Sequence, residues 1–436
     1  MLIGIAPPGC GFPRLPAGEE VPVLFFPLSA AKAYGGPAGP APVPGLLISG
    51  AMIVDASGER PGDVLIRDER IVEVGDVRGA RDERVLSATG RYLTPGLIDC
   101  HIHLCYEGGP NPRVMTEKTD AQLAVEARRH VHATLMAGVT TARDCGGRGF
   151  VETSVRNAIR SGDVEGPRLF TSGHPIVRKG GHMSYFGRET DTTEDCRMAA
   201  REQIAAGVDW LKVVATGGIT TPNVDPRRAE LSGGAIRAIV EEGMRDGKPV
   251  AAHAHGGDGI QNSLSAGVRS LEHGTFLDDA MIRTMVANDI FLVPTLVVTR
   301  AMLDAGTAKG VPEFAIRKSE EIDPIRRRAF AHAVKGGVPI AMGTDAGTPF
   351  NPHGENAREV ELMVESGMTP HQALEASTTN AARLLGIASE VGLVEPGHVG
   401  DLLLLGRNPF DDPAAFRRDL AVVIHAGRVV PDRAPQ

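Results

Sequence analysis

A chain of 436 residues, 42% hydrophobic and 23% charged, carries ample material for a packed core, which excludes global disorder. A formal charge of −8 with scattered Lys and Arg leaves no electrostatic footprint for nucleic acid, so a small-molecule substrate is the expected partner. No uninterrupted apolar run approaches the roughly 18 to 20 residues needed to cross a bilayer, and no membrane partner is expected.

Residues 1–45 are rich in Pro, Gly and Ala and read as a disordered extension. Their short apolar patch at 21–28 invites a signal-peptide reading. Glu19 and Glu20, with only Arg14 before the patch, are the wrong charges for a secretory leader. The five cysteines, Cys10, Cys100, Cys105, Cys145 and Cys196, are odd in number and form no CxxC pair. That argues against a disulfide framework and for a reducing, cytoplasmic compartment, with secretion the lesser expectation.

From Gly45 the chain shows short β-branched runs between Gly and Asp turns: 46–48, 52–54, 63–66, 71–74 and 92–93. These predict strands of a small antiparallel sheet. The same pattern returns at 400–405 and 421–430, so residues 46–94 and 387–436 are expected to form one β-sandwich domain. Between them, apolar runs begin near Leu97, Val139, Arg168, Asp209, Val250, Arg269, Ile290 and Pro339, and they alternate with helical segments. Eight strand-plus-helix units over residues 95–386 predict an α/β fold of the (β/α)8, or TIM barrel, type. The helix predicted over 120–137 spaces Leu123, Ala127, Val131 and Leu135 four apart, and one over 370–385 opens after Thr369 with Pro370 at its first position. A doubly wound open sheet is the rival. It would want a Gly-rich phosphate turn after an early strand, where this chain has His-Ile-His.

Strand residues two apart point to one face, so His101 and His103 can address a single point in space. A barrel places its chemistry at the carboxyl ends of its strands. Lys212, His253, His273 and Asp345 occupy that position in later strands. Five strand ends each supplying a ligand-type residue is a pattern that isolated structural histidines do not make. Lys212 is the odd member, because an ammonium in an apolar strand is either paired with a carboxylate or loses its proton. An uncharged lysine amine can react with carbon dioxide, and the anionic carbamate can bridge two cations held about 3.5 to 4 Å apart.

The stretches TPGLIDCHIHL, GVTTARDCGG, GGHMSYFG, VDWLKVVATGG, GKPVAAHAHG, SLEHG, MGTDAG and MTPHQALEASTTNAARLLG together resemble the amidohydrolase superfamily. The likeness is to its Xaa-Pro dipeptidase and imidazolonepropionase-related branch, and it spans about residues 46 to 430. The resemblance implies a metal-bearing barrel with a flanking β-sandwich. It also implies that His101, His103 and Asp345 hold a more buried metal, His253 and His273 a more exposed one, and carboxylated Lys212 the bridge. Asp345 would take a proton from the attacking water and pass it to the leaving nitrogen. Imidazole and carboxylate ligands fit two zinc ions best, with manganese, cobalt or iron permitted.

Substrate contacts are expected from the loops that follow the strands. The resemblance favours His182 as a contact to the scissile carbonyl or its oxyanion and Tyr185 as a hydrogen-bond donor. Arg178, Arg188, Arg227 or Arg228 could grip a substrate carboxylate, and His255 shares a face with His253. Met183 and Tyr185 add bulk to a segment that is a shorter Gly-His-Gly in relatives. His130, His132, His332, His371, His398 and His425 are read as bystanders.

The reading is therefore a binuclear metal-dependent amidohydrolase, a homo-oligomer, that cleaves an amide to an amino or imino acid. Such an enzyme is dipeptidase- or carboxypeptidase-like and open to xenobiotic N-acyl amino acids. The rivals are a one-metal, imidazolonepropionase-like hydrolase of cyclic amides, which Lys212 disfavours, and a non-catalytic barrel scaffold, which would have lost ligands.

Overall fold

The computed structural model describes residues 45–78, 82–219, 221 and 224–431. The extension read in the first 45 residues lies, except for Gly45, outside them, as does Cys10. Among the described residues no helix is long and apolar enough to cross a membrane.

A β-rich domain is built from the two ends of the described chain. Strands Leu46–Asp55, Gly58–Arg67, Arg70–Gly75, Arg84–Ser87 and Tyr92–Pro95 join Leu402–Leu405, Leu420–His425 and Arg428–Val429 in an eight-stranded sheet. It is not the purely antiparallel sheet that the sequence predicts. Both Arg84–Ser87 and Tyr92–Pro95 run parallel to the first strand. The reason is an irregularity between Ile48 and Ala51, where Gly50 takes φ +71°. It splits the first strand into two halves that find different parallel neighbours. Ile48, Ile53, Val64, Ile66, Leu93, Leu402, Leu404, Val422 and Ile424 from these strands form one buried cluster.

The barrel follows in chain order: β1 (Leu97–Ile102), β2 (Val139–Asp144), β3 (Arg168–Phe170), β4 (Leu211–Val214), β5 (Val250–Ala254), β6 (Ser270–His273) and β7 (Phe291–Val293). β1 to β3 pair in parallel, and so do β4 to β7. The two sets meet where Asp209 and Trp210 donate their amides to the carbonyl of Thr171.

The eighth unit is irregular, because residues 339–346 close the ring by isolated contacts and not by a regular ladder. Ile340 bridges Leu292 on one side and Ala346 bridges Ile102 on the other, and the amide of Cys100 reaches the Met342 carbonyl. Gly343 makes this approach possible, since a Cβ there would lie 2.3 Å from Val293 Cγ1 and 2.9 Å from His101 Cβ.

Two further expectations need correction. The stretch read as a loop after β3 opens with a strand, Ile176–Arg178, which pairs in parallel with Arg188–Thr190 and touches β4 at Val213. The helix predicted over 370–385 is two, Pro370–Ser377 and Thr379–Leu385. Ser377 and Thr378 donate their hydroxyls back to the carbonyls of Ala373 and Leu374, at 2.7 and 2.6 Å, and Thr378 leaves helical geometry. The Ala376 carbonyl is then free to accept the amide of Met342 in the eighth segment. The Thr369 cap and the buried stripe of Asp120–Met136 are as the spacing predicts.

Arg168 in β3 donates to Asp401 Oδ2 at 2.9 Å, and Asp401 Oδ1 lies 3.0 Å from His425 Nδ1, so this carboxylate ties barrel to β domain. Burial raises its pKa, but His425 and Arg168 outweigh that and hold it well below the usual carboxylate range. Removing one partner of a buried pair strands the other charge, at a cost of about 3 to 5 kcal/mol. Arg168→Met should lower stability by that amount, read as a shifted urea midpoint with an unchanged slope.

Candidate metal centre and active site

At the carboxyl ends of the strands, two groups of ligand atoms converge: His101, His103 and Asp345, and His253, His255 and His273. All six residues are buried. Nε2 of His101 and of His103 lie 3.5 and 3.2 Å from Asp345 Oδ1. Nδ1 of His253 lies 2.8 Å from Nε2 of His273. Lys212, also buried, places its Nζ 3.2 Å from Nε2 of His101, and no carboxylate stands within 4.0 Å of it among the described residues. The ordinary alternative for this lysine, a carboxylate partner, is therefore not what the structure shows.

The protonation states suit ligands. Burial lowers the pKa of His101 to about 4 and places His253 and His273 well below the ordinary value, so these imidazoles are uncharged near neutrality. Burial pushes Asp345 the other way, but His101, His103 and Lys212 outweigh it and hold the carboxylate well below its usual range.

Each imidazole is also oriented through its other nitrogen. His101 Nδ1 meets Glu272 Oε2 at 2.8 Å, His103 Nδ1 donates to the Gly146 carbonyl at 2.7 Å, and His273 Nδ1 lies 2.7 Å from Thr295 Oγ1. Nε2 of His253 is 3.3 Å from the Gly217 carbonyl, which leaves its Nδ1 turned inward. Tethering the outer nitrogen in this way fixes the tautomer and aims the remaining lone pair at the cation. Asp345 Oδ1 is buried and accepts no hydrogen bond, an orphan of the kind that a cation would satisfy. On these observations the residues present fit a divalent-metal centre.

Several supporting residues escape sequence reasoning. Glu272 pairs with Arg143, whose Nη2 reaches Glu272 Oε1 at 2.9 Å while the guanidinium lies over the ring of Trp210. Burial opposes charge on Glu272, but Arg143 and His101 hold its pKa down at about 2. Asp99 ties the two ends of the ring together, since it accepts from the amides of His101 and Thr344, the Thr344 hydroxyl and the Asn356 amide. An acidic side chain inside a buried strand is the one signal that could have flagged either carboxylate. Non-glycine residues with positive φ gather here as well: Met183, His273, Thr295, Asp345 and Phe350. Such geometry costs on the order of 1 to 3 kcal/mol per residue and persists only where the surroundings enforce it.

The pocket over the centre is lined by Tyr106, His182, Met183, Ile219, Val298, Arg326 and Thr348 in addition to the ligand-type residues. His182 is brought to it, with its ring 4.7 Å from that of His253 and Nδ1 2.8 Å from Thr221 Oγ1. The close approach needs Gly218, where a Cβ would lie 2.3 Å from the imidazole. His255 stacks on His273 and is held by Thr275. Tyr185 stands one layer back. Its hydroxyl hydrogen-bonds that of Tyr106, and Tyr106 is the phenol that faces the pocket.

The arginines read as carboxylate grips stay outside. Arg178 is exposed, and Arg227 is about half exposed, paired with Glu321 at 2.7 Å and laid over Phe276. Arg188 is engaged with Asp195 and Glu202, and Arg228 is exposed. The six histidines read as bystanders do not line the pocket.

Fold and site together define a barrel hydrolase with candidate ligands for a divalent metal at the carboxyl ends of its strands. Residues 92–430 match the Amidohydrolase family, and the chain belongs to that family and is a hydrolase acting on amide carbon–nitrogen bonds. It is 30% identical to the ochratoxinase of Aspergillus niger over 415 residues, covering 86% of this chain and 84% of that one. The crystal structure of a Xaa-Pro dipeptidase with methionine bound in its active site superposes with a TM-score of 0.83 at 28% identity, covering 88% of this chain and 99% of the other. An imidazolonepropionase from Geobacillus kaustophilus is 26% identical over 79% of this chain and 83% of its own.

Glu272→Gln keeps the shape of the side chain and removes the charge behind His101. It should weaken metal affinity by about 10- to 100-fold, measured by competition with a chelator.

Proposed function

We propose that the chain is a binuclear metallohydrolase that cleaves the amide joining an acyl group to an amino or imino acid. The observation that carries this reading is that two donor groups line one pocket together with a lysine that has no carboxylate within 4.0 Å among the described residues. His101, His103 and Asp345 would hold one cation and His253 and His273 the other, with Lys212 between them as its carbamate. Two divalent cations there, zinc best matching the ligand types, would supply Lewis acidity toward the scissile carbonyl and lower the pKa of a water.

The rest falls to the chain itself. Asp345, kept ionised, accepts the proton of the attacking water and returns it to the leaving nitrogen. His182, uncharged because burial takes its pKa to about 3, is the side chain set to contact the scissile carbonyl. Tyr106, whose phenol burial keeps protonated, is a second donor at the pocket wall, with Tyr185 orienting it from behind. Met183, Ile219 and Val298 offer an apolar surface to the acyl group or the side chain. The dipeptidase relative, which carries a free amino acid in its site, supports an amino-acid leaving group for this chain too.

Protein purified without chelator should contain two metal ions per chain by mass spectrometry. One ion would favour the imidazolonepropionase-like alternative, and none would remove the metallohydrolase reading. The zinc- or manganese-loaded enzyme should hydrolyse members of a panel of dipeptides and N-acyl amino acids, and inactivity on all of them would overturn the substrate assignment. Lys212→Ala should lose metal and activity, with partial return on adding a short carboxylic acid. Absence of that rescue, with metal restored, would count against the carbamate.

A further inference from the structure

One cation in the pocket wall has no task in the chemistry above. Arg326, in the helix Glu313–Lys335, is 1% exposed and lines the same pocket as the metal-ligand candidates. Its Nη2 donates to the Pro294 carbonyl and the Thr295 hydroxyl and lies 3.3 Å from His273 Nδ1. Its Nε and Nη1 are buried and make no hydrogen bond among the described residues.

No anion of the protein compensates the charge at ion-pair distance among the described residues. Both oxygens of Glu359 are taken up by backbone amides, of Leu296 and Val297, and burial pushes its pKa upward. Asp323 is engaged by the Thr299 hydroxyl and by Arg327. Asp345 turns Oδ1 toward His101 and His103. A buried guanidinium with open donors and no ion-pair partner is costly and marks a place where an anion belongs.

Its location names the anion. Arg326 touches the far nitrogen of His273 through Nη2, and the near nitrogen of that ring faces His253, so this end of the guanidinium lies about one imidazole's breadth from the ligand atoms, with Nε and Nη1 left open. In an N-acyl amino acid the carboxylate is separated from the scissile carbonyl carbon only by the amide nitrogen and Cα, a comparable span. The arginines nearer the surface do not reach the pocket.

Resting on the amide-hydrolysis reading, we infer that Arg326 binds the free carboxylate of the amino acid on the leaving side and so restricts the enzyme to substrates with a C-terminal or free α-carboxylate.

Equilibrium binding tests this without turnover. L-phenylalanine and L-phenylalaninamide are titrated by calorimetry into the metal-loaded protein. Wild type should bind the acid about 10- to 100-fold more tightly, the range expected for hydrogen bonds to a charged group. Arg326→Gln, with metal content verified, should bring the acid down to the affinity of the amide and leave the amide unchanged. Equal affinities in wild type, or a preference that survives Arg326→Gln, overturns the assignment. Should Arg326→Gln fail to fold, Arg326→Lys decides. A displaced charge lowers acid affinity by a smaller factor, whereas an unchanged value overturns the role.

The two readings fail separately. Acid preference without hydrolysis of any amide leaves the carboxylate site standing and removes the activity. Hydrolysis without acid preference does the reverse.

Discussion

Everything at the mouth of this barrel depends on keeping imidazoles uncharged and turned inward in a space from which water is largely excluded. Buried histidine resists protonation because a charged ring would lose its hydration, and the same burial makes any untethered polar nitrogen expensive. The structure meets both demands at once by binding each outer nitrogen to a carbonyl, a hydroxyl or Glu272. Glu272 can remain an anion in that setting only because Arg143 crosses the barrel interior to meet it. Removing Arg143 would leave a bare carboxylate, and His101 would lose the group that fixes its tautomer. The support of the candidate metal ligands therefore reaches down to a cation–π contact on Trp210, outside the pocket lining.

The same economy explains the irregular eighth segment. A regular strand would place residues 339–346 in a flat ladder, whereas Asp345 has to turn its carboxylate toward two histidines of β1 and does so at φ +58°. Asp99 and Gly343 hold that turn, one by hydrogen bonds and the other by having no side chain. Strain at His273 and Thr295 belongs to the same design, since it brings the end of β6 and the residues after β7 close enough for Thr295 to orient His273. Thr295 then serves Arg326 as well, so the metal side and the proposed carboxylate side of the pocket share a residue.

The apolar wall of Met183, Ile219 and Val298 faces these polar groups across the pocket. A site of this composition orients a substrate by a few charged and hydrogen-bonding contacts and accepts varied hydrocarbon against the wall. That is consistent with relatives named as an Xaa-Pro dipeptidase and an ochratoxinase. Family membership settles the class of bond cleaved. On the proposed reading, the choice of substrate rests with Arg326, Tyr106 and the loop that carries His182.

Much of this was legible in the linear chain. Period-two spacing put His101 and His103 on one face, and the recurrence of apolar runs set the number of barrel units. The recurrence of ligand-type residues at successive strand ends, and not any one residue, singled out Lys212, His253, His273 and Asp345 as candidates. What the chain could not reveal is which of many like charges is buried. Arg326 is followed by Arg327 and Arg328 in a helix full of charge, and no local pattern separates it from them. Helix packing against β7 and its loop made that choice, just as long-range pairing, and not local propensity, selected Tyr106 over Tyr185 for the pocket and Arg143 for Glu272. Local sequence determines periodicity and ligand chemistry. Which charge is desolvated, and against what, is decided only when distant segments close on one another.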